Sequence, residues 1–146
     1  MIPILILHGP NINMLGKREP EVYGRMTLAE INQNLVELGS QLGLEVVVKQ
    51  SNSEGSLIDL LHEAHPWARA VVFNPGGYTH TSVALRDAIL AIGLPVIEVH
   101  LTNVYARESF RQHSLISPVC AGTIAGLGWR SYEMAVRYLA ATMKSE

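Results

Sequence analysis

Residues 70–101 read AVVFNPGGYTHTSVALRDAILAIGLPVIEVHL, and this stretch decides the fold class. It opens on an apolar run at 70–73, continues through a helical pattern at 82–92 that Gly93 closes, and ends in a second apolar run at 95–101. Strands that are apolar on both sides are typical of a parallel sheet covered by helices on both faces. We therefore predict a strand–helix–strand unit of an α/β fold.

The same alternation extends over the rest of the chain. The pattern at 27–42 places leucines and Ile31 on one helical stripe, behind a capping-box sequence that starts at Thr27 and ends at Glu30. Five strands in a chain of this length favour a single flavodoxin-like domain over residues 1–146, with the parallel strand order 2-1-3-4-5 and helices on both faces. The other predicted strands are 2–7, 44–48 and 123–125, and the other predicted helices are 57–64 and about 129–143.

Composition excludes several classes of protein. The 146 residues are 48% hydrophobic and 16% charged, which suits one folded domain and not a disordered chain. No apolar run approaches the roughly 20 residues of a membrane-spanning helix, and residues 1–4 lack the basic segment of a signal peptide. A net charge of −2 argues against nucleic-acid or membrane-surface binding. The single cysteine, Cys120, excludes an intrachain disulfide, so we expect a cytoplasmic protein.

Polar side chains follow strands 1, 3 and 4 where each strand ends. In open α/β sheets, ligands bind beyond the carboxyl ends of the strands, at the point where the strand order reverses. That point lies between strands 1 and 3 in the predicted order, so we expect the site there. The polar residues at these ends are His8, Asn11, Asn74, His80, Glu98, His100, Thr102, Arg107 and Arg111.

Strand 4 alternates apolar residues with Glu98, His100 and Thr102. Polar side chains on one face of a buried strand need partners, and a carboxylate two positions from an imidazole can set its orientation and charge. An isolated buried histidine is more often a hydrogen-bonded core residue. The neighbouring carboxylate and the position at the strand end favour an acid/base role for His100.

The span 9–25 carries little helix or strand pattern and is longer than most connections in compact domains, which is typical of a lid or binding loop. It contains Arg18 and Tyr23. A tyrosine is a poor base at neutral pH unless nearby cations stabilise its phenolate. Arg18 lies close in sequence, and Arg107 can approach from the loop after strand 4. The alternative is that Tyr23 packs as an ordinary loop residue.

Residues 74–82 resemble a site for an anion or hydroxyl groups, because Gly76 and Gly77 permit close backbone approach before a helix begins. His80 and Asp87 are seven residues apart and share a face if the helix reaches back to His80. Asp87 is equally well explained as a surface partner of Arg86. Arg111 is suited to pair with a substrate carboxylate or to bind its hydroxyls.

Three patterns resemble parts of nucleotide, dinucleotide or metal sites, but none of them supports such a site. Gly9, Gly16 and Lys17 have six residues between the glycines and Arg18 where a P-loop needs Ser or Thr. The glycines at 122–128 lack both dinucleotide spacing and a following ribose-binding acid. His62 and His65 lie at a ligand-like spacing, but such a pair is more often solvated surface. We expect no cofactor and no metal.

Taken together, the motifs resemble those of the type II 3-dehydroquinate dehydratases from Ile4 to about Leu139. Each motif is short, but they follow one another in the order of that family. They are GPNINMLG at 9–16 with REP at 18–20 and YG at 23–24, QSNSEG at 50–55, NPGGYTHTS at 74–82, ALRDA at 84–88, EVHLTN at 98–103, ARE at 106–108 with FR at 110–111 and HS at 113–114, and GLG at 126–128.

The resemblance implies a cofactor-free enzyme that reversibly dehydrates 3-dehydroquinate to 3-dehydroshikimate, in the shikimate pathway to aromatic amino acids or in quinate breakdown. It implies a homo-dodecamer built from four trimers, with Asp87 reaching a neighbouring subunit's site. It implies Tyr23 as the base, Arg18 and Arg107 as the cations that favour its phenolate, Asn11 as the group that stabilises an enolate through a water, and His100, supported by Glu98, as the acid. Asn74, His80, Thr102, the backbone of Leu101, and Arg111 would hold the substrate.

Two positions depart from the family pattern. Tyr105 stands where many members have histidine, and Thr102 replaces a frequent serine while keeping the hydroxyl. Both bear on local contacts or rate and leave the reaction unchanged. Two other functions stay open from the residues alone: a module that binds a small anion without turnover, and a structural assembly subunit. Neither gives Tyr23 or His100 a task.

Overall fold

A computed structural model describes residues 1–143 as one α/β domain, and residues 144–146 of the predicted domain lie outside this description. Five parallel strands form one sheet in the order β2-β1-β3-β4-β5, which confirms the predicted flavodoxin-like topology. The strands are β1 (Ile2–His8), β2 (Leu44–Gln50), β3 (Val71–Asn74), β4 (Val96–His100) and β5 (Gly122–Ala125).

Residues 1–143 contain five α-helices, of which the four longer ones pack against the sheet. The predicted capping box at the start of the second helix is present, because the Thr27 hydroxyl accepts from the backbone N–H of Glu30 and the Glu30 carboxylate accepts from that of Thr27. The third helix starts three residues earlier than predicted, since the Ser53 hydroxyl caps it. The helices are α1 (Pro20–Tyr23), α2 (Leu28–Gln41), α3 (Glu54–Ala64), α4 (Val83–Ile92) and α5 (Arg130–Thr142).

The sheet separates two apolar layers. Alternate residues of β1 point to opposite sides, so Ile4 and Ile6 pack in one layer while Leu5 and Leu7 pack in the other. The first layer includes residues of α2 and α5, and the second includes residues of α3 and α4. Each fully buried aliphatic side chain contributes about 1.5–3 kcal/mol to the free energy of folding. The two apolar layers therefore hold the strands, and with them the strand ends, in place.

Short turns shape the edge of the sheet where the strands end. The span 9–25, predicted as an irregular loop, contains a 3₁₀ turn (Ile12–Met14) and α1. Strand β4 ends at His100, so Leu101 and Thr102 lie in the turn after it and not in the strand. Further 3₁₀ turns lie at Gly76–His80, Val104–Ala106, Ser109–Gln112 and Ser117–Val119. No helix in residues 1–143 is long and apolar enough to cross a membrane.

Candidate active site

A cleft of about 710 Å³ opens at the carboxyl ends of β1, β3 and β4. Every residue predicted for the site lines this cleft except His8, Glu98 and Asp87. The arginines that line it give it a positive character in a chain whose net charge is −2. The predicted residues in its wall are Asn11, Arg18, Tyr23, Asn74, His80, His100, Leu101, Thr102, Arg107 and Arg111.

The Tyr23 hydroxyl lies between two guanidinium groups. A terminal nitrogen of Arg107 donates to it at 2.9 Å, and one of Arg18 donates at 3.1 Å. The guanidinium carbons lie 4.6 Å (Arg18) and 5.2 Å (Arg107) from the centroid of the Tyr23 ring. The phenol oxygen of Tyr23 therefore accepts two hydrogen bonds from cationic donors.

The backbone of the 9–25 span is shaped to present Tyr23. Helix α1 has only four residues, and Pro20 occupies its first position, where a missing N–H costs nothing. Gly24 ends the helix at a φ of 90°, a conformation that glycine adopts without strain. The chain therefore reverses directly after Tyr23, which leaves the ring against the cleft and partly packed on the core.

His100 is held by Glu98, the carboxylate two residues before it. Glu98 Oε2 lies 2.6 Å from His100 Nε2, and both side chains are more than nine-tenths buried. The predicted contact is therefore direct, with no bridging water. Because Glu98 engages Nε2, the other ring nitrogen is the one that His100 offers to a ligand in the cleft.

Ser114 completes this group, and sequence analysis assigned it no role. Its hydroxyl oxygen accepts from the backbone N–H groups of Ile116 and Ser117, so its own proton is left to donate to Glu98 Oε1 at 2.9 Å. Glu98 thus has a partner on each oxygen. Such an arrangement satisfies both oxygens of a buried carboxylate and fixes Glu98 against His100.

His80 presents a defined nitrogen to the cleft. Its Nδ1 lies 2.7 Å from the carbonyl oxygen of His113, so Nδ1 donates and Nε2 is left as the acceptor when the ring is neutral.

The turn that carries His80 lies close to strand β1. A Cβ on Gly9 would come within 2.8 Å of the carbonyl oxygen of Asn74, which shows how tightly these two strand ends are packed.

Arg111 and Asn11 both line the cleft. Arg111 uses Nε to bind Glu108 at 3.1 Å, which leaves its terminal NH₂ groups for a ligand. The pKa of the exposed Glu108 is lowered by a hydrogen bond from its own backbone N–H and by that from Arg111. Asn11 adopts a left-handed φ of 70°, and its N–H donates to the Asn52 side chain.

Asp87 does not line the cleft. Helix α4 begins at Val83 because the Ser82 hydroxyl caps it by accepting from Leu85 N–H, so the helix does not reach back to His80. The expectation that His80 and Asp87 share a helical face is therefore wrong. Asp87 is exposed on the outer surface of α4.

His8, predicted among the polar residues at the strand ends, lies behind the cleft in a buried polar chain whose other members, Tyr132 and Asn32, were not predicted. His8 is fully buried in β1, and it contacts the Tyr132 hydroxyl at 2.9 Å through Nδ1 and the Asn32 side-chain oxygen at 2.8 Å through Nε2. Burial lowers the pKa of His8 to about 4, and it raises the pKa of Tyr132. The sequence signal for this group of residues was Tyr132, which places a hydroxyl on the otherwise apolar stripe of α5.

Other reactive side chains lie in structural settings. His65 donates from Nδ1 to the carbonyl oxygen of Ile92 at 2.8 Å and so ties the end of α3 to α4. Burial raises the pKa of Cys120 to about 12, which disfavours its thiolate. In the part of the chain that the structure describes, no three His, Cys, Asp or Glu side chains are grouped as metal ligands. The cleft thus combines a tyrosine between cations with a carboxylate-held histidine, an arrangement suited to proton transfer on an anionic substrate.

Comparison with known proteins assigns a family to this arrangement. Residues 2–140 match the family model described as dehydroquinase class II. A 3-dehydroquinate dehydratase of Pelotomaculum thermopropionicum is 62% identical over 94% of this chain and 96% of its own. Catabolic 3-dehydroquinase 2 of Aspergillus flavus is 56% identical over 94% of this chain and 92% of its own. The crystal structure of type II dehydroquinase from Propionibacterium acnes is similar with a TM-score of 0.94, at 43% identity and 97% coverage of both chains.

Proposed function

The chain belongs to the class II dehydroquinase family and is a 3-dehydroquinate dehydratase, a hydro-lyase, and we propose that it removes water stepwise with Tyr23 as base and His100 as acid. The observation that carries this proposal is the Tyr23 hydroxyl accepting from Arg18 and Arg107 at 3.1 and 2.9 Å. A base, a stabilised enolate and an acid for the leaving group are what an elimination beside a ketone requires.

The first step is removal of the proton next to the ketone. The Tyr23 phenolate takes this proton, the C–H bond breaks, and the electron pair moves onto the ketone oxygen to give an enolate. The two guanidinium groups stabilise the phenolate before the transfer, because each donates a charge-assisted hydrogen bond to its oxygen. Asn11 lines the same cleft and stabilises the enolate oxygen through a bound water.

The second step is loss of the hydroxyl group. The enolate returns its electron pair, the C–O bond breaks, and His100 protonates the departing oxygen so that it leaves as water. The product is a ketone conjugated to a carbon–carbon double bond. Glu98 supports the protonated imidazole through its contact at 2.6 Å, and it receives a hydrogen bond from Ser114 in turn.

The remaining predicted residues hold the substrate during both steps. The terminal NH₂ groups of Arg111 bind the substrate carboxylate or its hydroxyls, and the backbone of Leu101 together with the Thr102 hydroxyl binds hydroxyl oxygens. Asn74 and His80 bind the substrate from the part of the cleft wall that includes the turn at 76–80. Support for these roles is that all five residues line the cleft that holds Tyr23 and His100.

We further propose a homo-dodecamer of four trimers in which Asp87 approaches a neighbouring subunit's site. The outward surface of α4 supports a subunit contact, because Val83 and Leu90 lie on the same helical face as Asp87 and each is 59% exposed. Exposed apolar side chains on both sides of a carboxylate suit a partner surface better than water. Sizing of the native particle tests this assembly.

The reaction serves either synthesis of aromatic amino acids through the shikimate pathway or breakdown of quinate, and we place it in the cytoplasm. Both roles use the same chemistry, and the relatives include a protein named as catabolic. Growth of a host that lacks its own dehydratase, on medium without aromatic amino acids, tests the biosynthetic role. Growth on quinate as the carbon source tests the catabolic one.

The direct test of the reaction is ultraviolet absorbance, since the conjugated product absorbs and 3-dehydroquinate does not. The folded protein, mixed with 3-dehydroquinate and no added metal or nucleotide, is expected to produce a steady rise. His100→Asn is expected to reduce that rate by at least a hundredfold, the usual contribution of a general acid. Saturable binding without any rise would contradict the proposal and indicate a module that only binds small anions.

A further inference from the structure

The buried chain behind the cleft runs from Asn74 through Tyr132 and His8 to Asn32. Tyr132 is fully buried on α5, His8 is fully buried on β1, and neither is among the residues that line the cleft. Asn74 does line the cleft, and its side-chain nitrogen lies 3.0 Å from the Tyr132 hydroxyl. The chain thus joins a residue of the site to the core beneath it.

One backbone group sets the direction of the first hydrogen bond. The N–H of Gly76 donates to the side-chain oxygen of Asn74 at 3.1 Å, so that oxygen is the acceptor end of the amide. The amide nitrogen therefore faces Tyr132 and donates to its hydroxyl oxygen. A rotated amide would place two donors, the Gly76 N–H and the Asn74 NH₂, against each other.

The direction of this first hydrogen bond determines the donor and the acceptor in each of the hydrogen bonds that follow. Because the Tyr132 oxygen accepts from Asn74, its own proton is free to be donated to His8 Nδ1 at 2.9 Å. His8 then carries its proton on Nε2 and donates it to the Asn32 side-chain oxygen at 2.8 Å. Each of these three contacts pairs a donor with an acceptor when His8 is neutral, and the complete burial of His8 favours that neutral form.

We propose that Tyr132 and His8 are positioning residues that hold the Asn74 amide in one orientation for the substrate. This inference rests on the proposed function, in which Asn74 contacts the substrate. In the fixed orientation, Asn74 has one N–H and one lone pair uncommitted, both at defined positions on the cleft wall. Tyr132 acts only through Asn74, since it lies behind the wall.

The test is a double-mutant cycle between Tyr132→Phe and Asn74→Ala, read as KM and kcat for 3-dehydroquinate. Tyr132→Phe removes only the hydroxyl, and we expect it to raise KM about five- to tenfold with kcat changed less than twofold. In the Asn74→Ala background the same change is expected to raise KM less than twofold. Tyr138→Phe, on the exposed face of the same helix, is the matched control and should leave both constants unchanged.

The other outcomes overturn the inference in distinguishable ways. Equal effects of Tyr132→Phe in both backgrounds would show a general loosening of the fold. No effect of Tyr132→Phe, with a raised KM in Asn74→Ala, would refute positioning while leaving Asn74 in the proposed function. No effect of Asn74→Ala would refute the contact with substrate on which the inference rests.

A second variant keeps the inference testable if Tyr132→Phe does not fold. Asn32→Leu removes the acceptor at the outer end of the chain, where the residue is only partly buried. We expect a smaller rise in KM, about two- to threefold, because the disturbance must pass through His8 and Tyr132. Gln33→Leu, at the next and exposed position of α2, should leave KM unchanged. Equal KM values for Asn32→Leu and Gln33→Leu would overturn the inference.

Discussion

The hydroxyl oxygen of Tyr23 lies 2.9 Å from a guanidinium nitrogen of Arg107, a residue 84 positions further along the chain. The two residues belong to different loops, one after β1 and one after β4, and the fold brings these loops together at one edge of the sheet. The cation that contacts the Tyr23 hydroxyl is therefore supplied by tertiary structure, and the site forms only when β1 and β4 are placed correctly.

Removing either arginine is expected to lower kcat more than it raises KM. Arg107→Met and Arg18→Met keep an apolar stem and remove one cationic donor from the Tyr23 oxygen, so each should reduce kcat about ten- to a hundredfold. Arg25→Met is the control, because Arg25 is exposed on the same loop and does not line the cleft. Steady-state absorbance assays measure all three, and equal rates for Arg107→Met and Arg25→Met would contradict this assignment.

Ser114→Ala is expected to weaken both activity and stability. The variant leaves Glu98 Oε1 without its donor and two backbone N–H groups without their acceptor, which should cost about 1–3 kcal/mol in the free energy of unfolding. With Glu98 held less firmly, it supports His100 less well as the proposed acid, and kcat should fall. Urea unfolding and steady-state kinetics measure the two effects, and Ser109→Ala, at an exposed position, is the control. A kcat equal to that of wild type would show that Ser114 is only structural.

The order of the elements and the contact of Glu98 with His100 were predictable because both follow from local periodicity. An alternating strand places residues two apart on one face, and their contact needs no other part of the chain. Ser114 and Tyr132 were not predicted, since their roles depend on partners far away in sequence. Asp87 was misplaced relative to His80 because the Ser82 cap, which ends the turn before α4, decides where that helix begins.

His8 should make stability fall as the pH is lowered. Its pKa in the folded protein is about 4, below its ordinary value of 6.5, so between these values the unfolded chain binds a proton that the folded protein does not. This difference in proton binding contributes about 3 kcal/mol to the free energy of unfolding. The contribution is fully present above pH 6.5 and is lost as the pH falls through about 4. Urea unfolding of wild type and His8→Asn from pH 7 to pH 4 measures the difference. Parallel curves for the two proteins would contradict the assignment to His8.

Gly9→Ala is expected to disturb the contact between β1 and β3 at the cleft. An added Cβ would lie 2.8 Å from the carbonyl oxygens of Asn74 and Pro75, which are backbone atoms that cannot move independently. We expect a loss of about 1–3 kcal/mol in the free energy of unfolding, together with a higher KM because Asn74 shifts. Gly122→Ala is the control, since a Cβ there meets no heavy atom of residues 1–143 within 4 Å. Equal stability of the two variants would refute the close approach.

Deuterium exchange in D₂O tests whether Tyr23 removes the proton next to the ketone. His100→Asn, which keeps the base and lacks the acid, is expected to exchange that proton of 3-dehydroquinate by mass spectrometry or NMR while forming little product. Tyr23→Phe is expected to bind 3-dehydroquinate with a similar Kd and to show neither exchange nor product. Exchange at the wild-type rate in Tyr23→Phe would show that a group other than Tyr23 is the base.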